Sequence, residues 1–479
     1  MSHNAPIVVW FRQNLRMHDN PSFHAASLLK VPLILLYIDD DSPQPWRHTG
    51  ASRWWLRMSL LDFNAQLLSK YDAQLHIAQG EPLKIIKALI AKTHAQGIYW
   101  DRCYEPYAIA RDTQIKAEIT AMGLEAKSFN GALLKEPWET LNKSQQPFKV
   151  FTPFWRNLQK MIMRDILPLP KAFKGQTPKN SLTIEECIPL PSNPWYKTME
   201  QTWTPGEKGA KNNLARFLKN TLKDYKVLRN RPDFVHTSRL SPHLHLGEIS
   251  PVQIWHAAMS IDEHRNDRDC FLSELAWREF SYHLLYHFPF LPSAPFKPAF
   301  GAFPWKKNKK HLTHWQQGQT GYPIVDAGMR ELWHTGWMHN RIRMVVASFL
   351  IKHLLQPWQD GEAWFWDTLV DADLASNAAS WQWVAGCGAD AAPYFRIFNP
   401  VLQGEKFDPN GDYVRKWVPE LAKLPNKYLH APWEASIEVL SAAEVRLGKT
   451  YPHPQVVHAK AREGALAAYQ EIRTKTNEE

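Results

Sequence analysis

The sequence predicts a two-part chain: an N-terminal α/β domain on a Rossmann-like, doubly wound parallel sheet, joined by a long linker to a C-terminal all-helical domain. Three observations predict it. Short apolar runs alternate with amphipathic stretches over residues 1–133. Prolines crowd residues 134–205, where periodicity is weak. Over residues 206–479 the apolar pattern follows the helical period and strand signals are few.

The runs Ile7–Phe11, Pro32–Ile38, Gln74–Ala78 and Gly97–Asp101, with a weaker one at Glu125–Phe129, are expected as strands. Ser52–Ser69 and Pro82–His94 read as helices between them. No G-x-G-x-x-G follows the first strand, so no pyrophosphate is expected there. The prolines at 168, 170, 178, 189, 191 and 194 suit a connection that wraps the surface. Helices are expected at Asn212–Arg229, Pro251–Met259, Asp269–His287, Ile324–Thr335, Asn340–Leu355 and Gly361–Leu369. Ser441–Glu479 reads as one more helix with a polar tail.

Composition narrows the function classes. A chain of 479 residues with 44% hydrophobic and 22% charged residues buries a core, which excludes a disordered or fibrous protein. The formal charge of +10 favours acidic partners such as nucleic acid. Cys103, Cys187, Cys270 and Cys387 form no C-x-x-C pair, which argues against a thiolate zinc site and suits a reducing cytoplasm. No signal segment or apolar run of about 18 residues is seen, so no membrane span is expected. The 22 tryptophans fit a large core, base stacking, an aromatic ligand or electron transfer, and composition does not choose among these.

Several segments could carry chemistry. Thr237, Ser238, Arg239, Leu240 and Ser241 stand before a proline-marked helix start, as either a phosphate cradle or a plain capping cluster. Glu274, Trp277 and Arg278 share one helical face. They could bind a flat polar heterocycle, or be a surface ion pair beside a core indole. Asn340 and Arg343 share another face, and a carboxamide can serve both donors and acceptors of a base edge. Asp371 and Asp373, then Asn377 and Trp381, make a stripe of unusual polarity. Paired carboxylates can hold a metal or exchange protons, but no further oxygen ligands lie near in sequence, so no metal is expected.

Taken together, TSRLSP, ELAWREF, GYPIVDAGMR, GWMHNRIRM, DADLASNAASWQW and DAAPYFRIFNP, in this order, resemble the photolyase/cryptochrome family. WFRQNLRMHDNP near the start resembles that family's first strand and loop, and the likeness runs from Ile7 to about Leu424. The resemblance implies an N-terminal antenna domain and a helical domain holding FAD. It implies light-driven repair of UV-damaged DNA, single- or double-stranded, in which excited reduced FAD lends an electron to a flipped-out cyclobutane pyrimidine dimer.

By position, Tyr225, Thr237, Ser238, Leu240 and Ser241 resemble the phosphate-binding segment. Arg278, Asn340, Asp371, Asp373 and Asn377 resemble the residues around the isoalloxazine. Glu274 resembles the carboxyl group that bonds the lesion, with Asn340 on the same pocket. Trp277 and Trp383 resemble the wall against which the lesion packs, with Arg343 and Met344 also on the DNA side. Trp381, Trp358 and Trp305 match the family's electron relay, a role that rests wholly on resemblance.

Asn377 favours repair over a cryptochrome-type blue-light sensor, since plant-type sensors carry Asp there and animal-type ones often Cys. The short tail agrees. Met338 and Asn340 favour the cyclobutane lesion over the (6-4) photoproduct, whose enzymes carry a histidine pair in this region. The R-x-Y-E-P-Y-A-I-A-R-D segment from Arg102 to Asp112 resembles a bacterial subgroup that binds folate, which favours a methenyltetrahydrofolate antenna, with 8-hydroxy-5-deazaflavin the alternative. The protein is expected to be a cytoplasmic monomer.

Overall fold

The computed structural model describes residues 5–391 and 395–477. Ala392, Pro393 and Tyr394 of the DAAPYFRIFNP segment lie outside the described residues.

Five strands form one parallel sheet: β1 (Ile7–Phe11), β2 (Leu33–Asp39), β3 (His76–Gln79), β4 (Gly97–Asp101) and β5 (Glu125–Phe129), in the order β3-β2-β1-β4-β5. β1 is flanked by β2 and β4, with Ile7 opposite Leu33 and Gly97. The chain runs outward from β1 to one edge, then crosses back to fill the other. The order therefore reverses between β1 and β4, the arrangement of a doubly wound sheet. β1, β2 and β4 are buried at every residue because helices cover both faces, whereas β5 at the edge is half exposed. Val8, Trp10, Ile34, Leu36, Ile98 and Trp100 form the core of one face with Ile86, Ile90, Ile115 and Ile119 from the covering helices.

The proline-rich stretch is less of a free connection than its composition suggests. Leu33 and Gln176 N–H groups bond to Lys174 and Leu33 carbonyls, and Leu182 N–H bonds to the Ile77 carbonyl. The stretch also holds short helices at Phe151–Leu158, Ile184–Cys187 and Lys197–Thr202. Backbone groups that lack a helix or sheet of their own are thus satisfied along β2 and β3.

The chain divides into two compact units. One is Met1–Lys223 with Ser238–Pro289, and the other is Asp224–Thr237 with Phe290–Glu479. The helix Arg265–His287 therefore groups with the sheet. The contacts that tie it there are the Leu134 N–H to Glu279 (2.7 Å) and the Phe148 N–H to His283 Nε2 (3.0 Å).

Three helical expectations are corrected. Asn212–Arg229 is not one helix: an α-helical stretch ends at Arg216, a π-turn covers Phe217–Thr221, and Asp224 takes a left-handed conformation at φ 62° before Tyr225–Leu228. Asn340–Leu355 is helical only to Ser348 and closes through a π-turn at Phe349–His353, with Leu355 at φ 52°. Of Ser441–Glu479, only His458–Asn477 forms the final helix; a short helix precedes it at Ile437–Ala442. Apolar spacing marks a buried face but does not register where the chain must turn to keep that face buried.

Candidate functional site

In the first unit, Glu274, Trp277 and Arg278 do share one face of Arg265–His287. Trp277 is half-buried and lies flat on Phe151, with ring centroids 3.8 Å apart and planes 7° off parallel. Phe280 supports it edge-on at 5.8 Å. The indole is thereby a fixed platform rather than a mobile surface residue. Arg278 donates to the Ala132 carbonyl (2.9 Å), pairs with Glu279 (3.2 Å) and covers Tyr282. Glu279 is buried, and burial pushes its carboxyl up to about 7 despite the Arg278 charge.

Ser238, Arg239, Leu240 and Ser241 lead into a short helix, Ser241–His245. Arg239 has φ 52°, Leu240 is buried, and no side chain caps the helix start. What holds the segment is buried beneath it. His243 pairs with Glu248, whose other oxygen accepts from Trp55 Nε1 (2.9 Å), while Asn213 bonds the far side of the imidazole (3.1 Å). This buried network ties the segment to the helix Gly50–Tyr71 and had no signal in the sequence.

In the second unit, Tyr225 is buried with Arg229 over its ring, and Thr237 is half-buried. Asn340 is exposed as the first residue of Asn340–Ser348, with His339 capping that helix. Arg343 differs from the expected DNA-side cation. It donates from Nη2 to both Asp371 oxygens (3.1 and 2.9 Å) and from Nε to the Met338 carbonyl (2.8 Å). The guanidinium thus pairs with a largely buried carboxylate through Nη2 while its side chain stays 23% exposed. Met344 and Trp383 are half-buried, and Trp383 donates to the Asp390 carbonyl (3.2 Å).

Asp373 caps the helix Leu374–Ala385, accepting from Ser376 N–H at 2.7 Å. On that helix Asn377 and Trp381 are four residues apart and share a face. The neighbouring helix Trp358–Thr368 positions both. Asn377 Nδ2 donates to the Glu362 carbonyl at 3.0 Å, which leaves Oδ1 as the carboxamide's remaining acceptor. The Trp381 indole lies on Gly361, where a Cβ would fall 2.5 and 2.7 Å from its Cζ3 and Cζ2. Phe365 closes on the same indole edge-on at 5.0 Å. Trp358, three residues before Gly361 and on the same helical face, is fully buried. Trp305 is half-buried against Phe303 at 4.3 Å.

The sequence reading missed Gly361 and Glu362. Their signal was a Gly-Glu pair between Trp358 and the aromatic run Trp364–Trp366 of one helix. No cluster of three or more metal-ligating side chains occurs among the described residues.

At the carboxyl ends of β1 and β4, where a doubly wound sheet takes its ligands, a dense polar group surrounds the Arg102–Asp112 segment. Arg12 pairs with Asp112 (2.6 Å), Arg111 with Asp40 (3.0 Å), and both guanidinium groups lie over Trp10. Glu105 accepts from Gln13 (2.7 Å) with one oxygen. Its other oxygen, Ser42 Oγ and Arg12 Nε are buried without a hydrogen-bond partner among the described residues.

Comparison with known proteins gives two family matches: the DNA photolyase family over residues 7–173 and the FAD binding domain of DNA photolyase over residues 271–471. The chain is 48% identical to a deoxyribodipyrimidine photo-lyase of Agrobacterium fabrum, over 98% of this chain and 99% of that one. It is 37% identical to Cryptochrome-1 of Arabidopsis thaliana, over 95% of this chain and 69% of that one. A crystal structure of a bacterial class III photolyase from Agrobacterium tumefaciens superposes with a TM-score of 0.95 at 49% identity, covering 98% of each chain.

Proposed function

The chain belongs to the DNA photolyase and cryptochrome family, and on that premise we propose that it is a light-driven repair enzyme, a deoxyribodipyrimidine photo-lyase acting on cyclobutane pyrimidine dimers. The observation that carries this reading is the fixed carboxamide of Asn377, held by Glu362 with its oxygen left to accept. An amide acceptor in that place suits a flavin kept reduced for repair.

FAD is the cofactor, and when bound, reduced and lit it supplies the electron that opens the dimer and takes it back. The residues fit it. Asn377 Oδ1 would accept the flavin N–H, and the Arg343–Asp371 pair would offer it a donor and an acceptor without net charge. In the first unit, Ser238 and Ser241 would offer hydroxyl groups to phosphates next to Leu240, Arg278 would serve the flavin, and Glu274 and Trp277 would serve the lesion. In the second unit, Thr237 and Tyr225 would serve the phosphates, Asp373 and Asn340 the flavin, and Trp383 and Met344 the lesion. Trp381, Trp358 and Trp305 would form the relay by which the cofactor is reduced under light. Arg396 and Lys406, both exposed, contact phosphates.

A folate is the antenna this reading favours, and the buried Glu105 oxygen without a partner among the described residues would be an acceptor for its N–H groups. The protein acts on single- or double-stranded DNA as a cytoplasmic monomer. Cys103, Cys187 and Cys387 form no disulfide, and no described helix is long and apolar enough to cross a membrane.

The test is dimer-containing oligonucleotide incubated with the reduced protein in blue light and in the dark. Restoration of intact pyrimidines only in light is the expected result. Flavin photochemistry without any restoration favours a photoreceptor.

A further inference from the structure

The second unit buries several carboxyl groups, and all but one are solvated by donors. Asp326 accepts from Thr320 N–H and hydroxyl (both 2.7 Å) and from Tyr451 (2.6 Å). Asp408 accepts from the Tyr413 and Val414 N–H groups (3.0 and 2.9 Å). Glu331 accepts from His339 N–H (3.2 Å) and Tyr413 (2.7 Å), and Asp371 has Arg343. Glu362 is the exception. It is 1% exposed, and its Oε1 is buried with no hydrogen-bond partner among the described residues. A bare carboxylate in that position is too costly to keep, so the group takes up a proton. The acid form can then carry an O–H at Oε1, for which no partner occurs among the described residues.

The location of this acid gives it a use. Its own main-chain carbonyl holds Asn377, and the preceding residue seats Trp381. We propose that Glu362 is a positioning residue for the flavin: held in its acid form, it adds no negative charge beside Asn377, so that the electron-rich reduced cofactor is favoured there. This rests on the reading that FAD lies against Asn377.

No opposing charge complicates the assignment. The packed neighbours offer Asp373, spent on its helix cap, and Lys352, which donates to the Arg396 carbonyl. They also offer His353, which is bonded to His458. On its own helix Asp360 accepts from Gln356, and Asp367 is exposed. None of these acts on the Glu362 carboxyl. Burial alone pushes it up to about 9.

Linkage follows. Negative charge placed beside a titrating acid raises its affinity for the proton, and the proton in turn favours that charge. In the alkaline range, reduction of the bound flavin therefore draws a proton from solvent onto Glu362, beyond the protons the flavin itself takes.

Two measurements on the purified full-length holoprotein test this, with Glu362→Gln as the neutral isostere. The first is the infrared difference between wild type and Glu362→Gln with FAD oxidised. It should show a protonated-carboxyl stretch at pH 7 that gives way to carboxylate near pH 9. The second is proton uptake on chemical reduction, followed with an indicator dye. Near pH 9 the wild type should take up as much as one proton more per flavin than the variant. A carboxylate signature at pH 7, or equal proton uptake, overturns the proposal. If Glu362→Gln does not fold, Glu362→Met serves the same comparison. Dimer splitting is scored separately, so the carboxyl band and the extra proton support the assignment whether or not the chain repairs DNA.

Discussion

Replacing Gly361 by Ala should push the Trp381 ring off its seat, and the size of the effect follows from the packing. The added Cβ would fall 2.5 Å from Cζ3, 2.7 Å from Cζ2 and closer still to Cη2 of a rigid, 2% exposed indole. The ring cannot fold away as the end of a long side chain would, so the helix or the ring must shift. Overpacking of this kind costs about 1–3 kcal/mol. Removing a glycine from a helix interior returns up to about 1 kcal/mol. The net destabilisation is thus about 0–3 kcal/mol, a melting shift of up to about 12 °C at roughly 2–4 °C per kcal/mol.

Stability alone would not identify the cause, so the decisive measurement is a double-mutant cycle with Trp381→Phe. The smaller ring leaves room for the methyl group. Gly361→Ala should therefore cost less in the Phe background than in the wild type, with a coupling of about 0.5–3 kcal/mol. Urea unfolding at matched FAD saturation measures it, since bound cofactor adds stability of its own. Single Gly361→Ala should also slow photoreduction of oxidised FAD. Additivity within about 0.5 kcal/mol, with unchanged photoreduction, would refute the idea that Gly361 seats Trp381.

Replacing Trp305, Trp358 or Trp381 by Phe should block photoreduction by an external thiol yet spare repair by chemically pre-reduced protein; loss of repair by pre-reduced Trp381→Phe with FAD still bound would remove it from the relay. Glu274→Ala should lower dimer splitting per absorbed photon more than it lowers lesion affinity, because a hydrogen bond to a charge-gaining oxygen strengthens on electron arrival. The lost bond should cost affinity only about 1–3 kcal/mol, and an unchanged yield on the same preparation would make Glu274 a binding contact only. Glu279, raised from 4.5 to about 7 by burial, binds its proton more tightly when folded. Its contribution is full below about pH 4.5 and fades as pH rises through 7, by at most about 3 kcal/mol. Glu279→Gln should flatten that slope in urea unfolding between pH 5 and 8. Lesion affinity should fall steeply with salt as phosphate contacts release counterions; an affinity indifferent to salt would remove Arg396 and Lys406 from the interface.

The sequence by itself determined the parallel sheet, down to the unshifted limits of β1, β4 and β5, and the helical character of the second half. It did so because burial of one face or both leaves a local period that any short window displays. The ordered motifs likewise sufficed for the family, since each keeps its residue types within one turn or helix. Only the tertiary structure decided which donor meets which acceptor. Arg343 read as a cation for DNA until Asp371, 28 residues on, was found to hold it. Trp277 read as a wall for the lesion on the face of Glu274 and Arg278, but nothing in the sequence told that Phe151, from the proline-rich stretch, lies beneath it. Glu362 went unremarked, since the pattern of its helix gave no reason for a carboxyl group there to be dry. A pattern records that a residue is buried, but whether its charge has a partner depends on chain segments that meet only in the folded protein. The ionisation of Glu362 and Glu279 is set there.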